Sequence, residues 1–126
     1  MQIFCCTCNT DIDCSLVTGM QVYPHRYDLR NMKFYRCPVC KNFVGTHKGT
    51  EIPLGVIANE EIKNARMHIH SLLDPIWRSG KVSRRKCYKL ISNKLGYEYH
   101  TANLKSIDEC RNVYSIILRL KRELSV

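Results

Sequence analysis

The chain has 126 residues, a formal net charge of +9, 44% apolar residues and eight cysteines. That length gives one domain, or a small metal-held lobe beside a helical lobe, and the ordinary apolar fraction excludes a disordered chain. The longest apolar run, within residues 113–118, is far too short to cross a bilayer, and Met1-Gln2-Ile3-Phe4 lacks the charged and apolar regions of a secretion signal. A reducing, cytoplasmic compartment without disulfides or membrane partners is the expectation.

Cys5-x-x-Cys8 opens the chain, and Cys37-x-x-Cys40 follows after 28 intervening residues. Two cysteines separated by two residues sit on one tight turn with their sulfurs about 3.5 to 4 Å apart, as a tetrahedral zinc requires at a Zn–S distance of about 2.3 Å. Each turn supplies half a site, and the intervening residues suffice for short strands, the plan of a zinc ribbon. Cys5, Cys8, Cys37 and Cys40 are therefore read as ligands of one structural Zn2+, closed to further ligands and without chemistry of its own. Cys6 is an alternative to Cys5, but only the Cys5/Cys8 pair has the preferred spacing, so Cys6 is taken as a spectator. In the second turn Pro38 fixes one dihedral, and Asn42 is expected to accept the left-handed conformation that follows such a knuckle.

Residues 20–23, 33–36 and 43–46 alternate apolar with polar or carry aromatics, and read as the short strands of the ribbon. Gly49, Pro53 and Gly55 make residues 46–55 a loop. Asn59 offers a cap for a first helix, with Glu60 and Glu61 in its first turn and an apolar face of Ile62, Ala65, Ile69, Leu72, Leu73 and Ile76. Pro75 is expected to end or kink it. Ser83 caps a second helix with the stripe Cys87, Leu90, Ile91 and Leu95, stopped by Gly96. Ser106 and Glu109 form a capping box for a third, with Ile107, Cys110, Val113, Tyr114, Ile117 and Leu124 on one face. Cys87 and Cys110 on these stripes read as small buried hydrophobes. The fold class is thus α+β: a four-cysteine zinc ribbon of short antiparallel strands over residues 1–57, packed with a basic bundle of about three helices over residues 58–126.

The charge is uneven. Residues 78–126 hold twelve Lys/Arg against four Asp/Glu, which is +8 of the total. Cations gathered on one element fit a polyanion, since neutralised phosphates release their condensed counterions. Lys121 and Arg122 suit the C-terminal end of a helix dipole, but Arg84, Arg85 and Lys86 stand at an N-terminus, where cations are mildly unfavourable and a bound phosphate would be doubly served.

Several segments together carry a resemblance. They are Tyr23-Pro24-His25-Arg26, Phe34-Tyr35-Arg36-Cys37-Pro38-Val39-Cys40, Val44-Gly45-Thr46-His47-Lys48-Gly49-Thr50, Pro53-Leu54-Gly55, Ala65-Arg66, His70, Asp74-Pro75-Ile76-Trp77, His100 and Cys110. With these the chain resembles an uncharacterised zinc-finger-containing family common in phages and prophages, over nearly its whole length. The resemblance implies a viral protein in a bacterial cytoplasm and carries no activity with it. A lysine follows Cys40 where a glycine is more usual, and Cys6 crowds the first knuckle.

The same segments draw attention to His47, His70, Asp74, Trp77 and His100. On a helix Asp74 can orient the His70 imidazole at i,i+4, an arrangement shared by metal ligands and general bases, or simply a satisfied polar contact. Three functional readings follow. In the first, Arg26, Arg30, Arg84, Arg85, Lys86 and Lys89 contact phosphates of DNA or RNA, with Tyr23 and Tyr35 free to stack on unpaired bases. In the second, the ribbon docks on a host nucleic-acid-handling or defence protein. In the third, His47, Asn59 and His68 or His70 form a metal-dependent nuclease of the histidine-asparagine-histidine kind, though Thr46 stands where the usual partner residue would be. A non-enzymatic binding role is the leading expectation.

Overall fold

The computed structural model describes residues 1–125; the terminal residue of the 58–126 region lies outside them. The chain divides into two compact units, one ending at Glu60 and one beginning at Glu61.

The first unit starts with a hairpin of β1 (Gln2–Cys5) and β2 (Thr10–Asp13), paired antiparallel with Ile3 opposite Ile12 and Cys5 opposite Thr10. A second, three-stranded sheet has β4 (Lys33–Arg36) between β3 (Ser15–Thr18) and β5 (Phe43–Gly45), all antiparallel. β4 and β5 lie where the alternation places strands. Residues 20–23 do not form one: α1 (Gly19–Val22) is a single helical turn. Gln21 accepts the Thr18 N–H at 2.8 Å, and the Tyr23 N–H reaches back to the Gly19 carbonyl at 2.8 Å. A Cβ at Gly19 would stand 1.7 Å from the Leu29 carbonyl oxygen, so only glycine lets the chain pass there. Local hydrogen bonding and this close approach override the alternating pattern.

Strands this short cannot hold together alone. Their shared core is Ile3, Cys5, Cys14, Tyr35, Cys37 and Ile57, with Ile12 and Val44 packed against it. Ile57 reaches it by pairing with β1 in parallel: its N–H bonds the Phe4 carbonyl and its carbonyl accepts the Cys6 N–H, each at 2.9 Å. The pairing tucks the buried segment Val56, Ile57 and Ala58 beside the hairpin before the next helix begins.

The second unit is helical. α2 (Glu60–Arg78) buries Ile62, Ile69, Leu73 and Ile76. Pro75 does not end it; the helix runs one turn further, and the Ser79 N–H bonds the Pro75 carbonyl at 3.0 Å. α3 (Arg84–Leu95) is capped by Ser83, whose hydroxyl accepts the Lys86 N–H at 3.1 Å, and is closed by Gly96 at φ 85°. α4 (Ile107–Glu123) is capped by Ser106, which accepts the Glu109 N–H at 3.1 Å. It buries Cys110, Val113, Ile116, Ile117 and Leu120. Tyr114, placed on the apolar face by its spacing, is 38% exposed; the buried stripe passes through Ile116 and Leu120 instead. α3 and α4 pack on each other, and Arg66 of α2 donates to the Ala102 and Leu104 carbonyls at 2.9 Å each.

Candidate metal centre and cationic cleft

Each cysteine pair occupies the bend of a hairpin. Cys5 ends β1 and Cys8 lies in the loop to β2; Cys37 and Cys40 lie in the loop from β4 to β5. The two bends share one geometry. In the first, the Asn9 N–H bonds the Cys5 carbonyl at 2.7 Å and Asn9 takes φ 56°; in the second, the Lys41 N–H bonds the Cys37 carbonyl at 3.0 Å and Lys41 takes φ 68°. The left-handed residue after the second pair is therefore Lys41 and not Asn42, because the loop closes one residue earlier than the side-chain preference of asparagine suggests. Asn42 instead donates to the Thr7 hydroxyl at 3.0 Å, linking one bend to the other.

The four sulfurs consequently converge, all within 4.8 Å of one another, with Cys5 and Cys40 at 3.4 Å and Cys8 and Cys37 at 3.8 Å. Edges of a tetrahedral zinc–thiolate site are about 3.8 Å long, so these residues fit one structural zinc ion. Among the described residues this is the one cluster of three or more cysteine, histidine or carboxylate groups close enough to share an ion. Cys6 is not part of it. Cys14 is buried beside it and donates its thiol to the Ile12 carbonyl at 3.3 Å.

The surroundings of the sulfurs prepare them unequally for ionisation. Burial pushes the Cys8 thiol up to about 12, and the neighbouring Cys37 and Cys5 sulfurs add to the effect. Burial chiefly raises Cys40 too. At Cys37 burial also acts upward, but backbone N–H groups of Cys40 and Val39 pointing at its sulfur, with the Cys40 and Cys8 thiols, outweigh it and hold the group at about 7. Several thiolates packed together repel one another, and a divalent cation removes that penalty.

The cationic candidates fall in two places. In the first unit Arg26 is engaged by Asp28, with Nε to Oδ1 at 3.0 Å and Nη2 to Oδ2 at 2.8 Å. Arg30 lies over the Tyr27 ring, 3.6 Å from its centroid. Tyr35 is not free to stack on a base: it is 6% exposed, and its hydroxyl donates to the Glu51 carbonyl at 2.7 Å. Both faces of β4 are covered: Tyr35 packs into the core around the cysteines, and Phe34, on the opposite face, is buried against Tyr23 and Phe43. Tyr23 stands edge-on to Phe34 and Phe43, at 5.7 and 5.4 Å between centroids.

In the second unit Arg84, Arg85 and Lys89 line an open cleft of about 1070 Å³, together with Tyr88, Tyr97 and His100. Lys86 is exposed but does not line it. Arg84 is held over the Tyr88 ring, 4.6 Å from its centroid, and Tyr88 packs in turn on the buried Tyr99. The acidic group in the lining, Glu98, is paired with His100 Nε2 at 3.2 Å. The sequence signal for Tyr88 and Tyr97 is weak, consisting of three tyrosines at 88, 97 and 99 interleaved with cations.

Of the remaining candidates, His70 Nδ1 lies 3.4 Å from Asp74 Oδ1, the oxygen that also accepts the Trp77 indole N–H at 3.0 Å. His70, Asp74 and Trp77 thus form a connected polar set along α2. His100 belongs to the cleft. His47 sits in the loop of residues 46–50, which the Thr50 N–H and hydroxyl close onto the His47 carbonyl at 3.0 and 2.9 Å.

No helix is long and apolar enough to cross a membrane among the described residues. A family model described as a zinc-finger-containing domain matches residues 1–120. No curated protein and no solved structure matches the chain.

Proposed function

The chain belongs to this zinc-finger-containing family and carries a four-cysteine site for zinc; from that premise we propose that it is a nucleic-acid-binding protein, phage-encoded and working in the bacterial cytoplasm, whose phosphate contacts come from its helical unit. The observation that carries this reading is the cleft, where Arg84, Arg85 and Lys89 line one concave surface with tyrosines and outnumber its one carboxylate, Glu98. Three cations around a concave surface neutralise a phosphate backbone better than the same cations scattered over a sphere. The zinc serves rigidity in the first unit and leaves no open coordination position for hydrolysis.

Titrating a labelled oligonucleotide at increasing salt tests the reading. Affinity should fall along a log–log line whose slope is about −2 to −3 for three phosphate contacts, and Arg84→Glu with Arg85→Glu should flatten that slope. Affinity indifferent to salt would refute it.

A second reading, docking on a host protein, would put Val39, 71% exposed in the second cysteine bend, into the contact. Val39→Asp should abolish capture of such a partner in nuclease-treated lysate while leaving oligonucleotide binding intact.

A further inference from the structure

We propose that the cleft takes an unpaired nucleic-acid strand, with phosphates on Arg84, Arg85 and Lys89 and one base laid against the ring of Tyr97. This rests on the nucleic-acid reading above and specifies the form of the ligand.

The difference between the two tyrosines of the cleft motivates it. Tyr88 is in use within the chain, with the Arg84 guanidinium on one part of its surface and Tyr99 at 5.4 Å between centroids. Tyr97 is 56% exposed, and among the described residues it has no hydrogen bond, ion pair or ring contact. Gly96, in the left-handed conformation that ends α3, turns the chain so that residues 96–100 line the same cleft as the cationic side of the helix. An aromatic ring without a contact of its own thus lines the same cleft as three positive charges.

That pairing of groups separates the candidate ligands. A single strand offers both phosphates and unstacked base faces, and stacking on an aromatic side chain contributes about 1 to 3 kcal/mol per base without regard to sequence. A duplex keeps its base faces stacked inside and can use only the cations. A peptide of acidic residues alone likewise satisfies the cations and offers no flat face to the Tyr97 ring. Arg84 adds to the case for phosphate: its guanidinium is held by the Tyr88 ring and by a 3.3 Å hydrogen bond to the Tyr88 hydroxyl, so little side-chain freedom is lost on binding.

The test uses the zinc-loaded full chain and fluorescence anisotropy with a labelled oligothymidylate and a duplex of equal length. The single strand should bind at least about tenfold more tightly. Tyr97→Ala, a change at an exposed side chain, should lower single-strand affinity by roughly tenfold with duplex binding unchanged, and Tyr97→Phe should keep the parent affinity. Equal binding of strand and duplex, unaffected by Tyr97→Ala, overturns the strand assignment and leaves the phosphate reading standing. No binding of either overturns both. Displacement of the oligothymidylate by polyglutamate as readily as by unlabelled oligothymidylate overturns the proposal in favour of an acidic protein ligand.

Discussion

Residues up to Glu60 bury Ile3, Tyr35 and Ile57 around four sulfurs, whereas from Glu61 onward Ile69, Leu73, Ile91, Val113 and Ile117 are buried among helices, with no metal-ligating cluster among the described residues. Strands of three or four residues expose most of their backbone and gain little from apolar burial, so the first unit depends on bonds to an ion. Helices of 12 to 19 residues satisfy their own backbone and need only one apolar face each. One chain thus holds two stability mechanisms, and each has its own way of failing.

The largest effect separates them outright. Chelation, or Cys37→Ser, should unfold the first unit, since apparent zinc binding in such lobes contributes about 10 to 16 kcal/mol to folding. Far-ultraviolet circular dichroism should keep its helical signal while amide resonances of residues 1–60 collapse. Acid attacks the same unit: Cys8, held up near about 12, and Cys40, also raised, must each release a proton to bind metal. Zinc affinity should therefore fall with pH by about tenfold per proton per pH unit, measurable by competition with a chromophoric chelator.

Alkali should reach the other unit first. Burial raises the Tyr99 phenol above its ordinary value, against the 2.6 Å hydrogen bond to Thr101 that favours the anion. A neutral phenol in the folded state and an ionising one in the unfolded chain mean full stability below pH about 10, lost as pH rises from there toward the folded value. Tyr99→Phe should cost about 1 kcal/mol at neutral pH for the hydrogen bond and remove this alkaline loss in denaturant titrations. The smallest effect sharpens the comparison within the first unit. Lys41→Gly should relieve the φ of 68° and leave the zinc-bound form unchanged to stabler by up to about 1 kcal/mol, read from the midpoint of thermal unfolding.

The parts of the fold that were legible in the sequence have short-range causes. Cysteine spacing, the Ser83 and Ser106 caps, Gly96 and the apolar helix faces each act within one turn of chain, and the structure places the spacing, the caps and Gly96 as read, while the face of α4 shifts from Tyr114 to Ile116 and Leu120. What escaped depends on pairing and packing that residue type alone does not show. β2 carries Asp11 and Asp13, poor strand formers that pair only because β1, four residues back along the chain, lies alongside. Tyr35, expected to be free for base stacking, is buried because its face of β4 packs on Ile3, Ile57 and the cysteines. The cations at residues 84–89 were legible as charge, but the bare ring of Tyr97 beside them required the turn at Gly96 to be seen in three dimensions.

X-ray absorption at the zinc edge of freshly purified protein addresses the central claim most directly. One zinc per chain with four sulfur neighbours at about 2.3 Å is the expected result. A substoichiometric metal, or a shell in which nitrogen or oxygen replaces sulfur, would contradict the account.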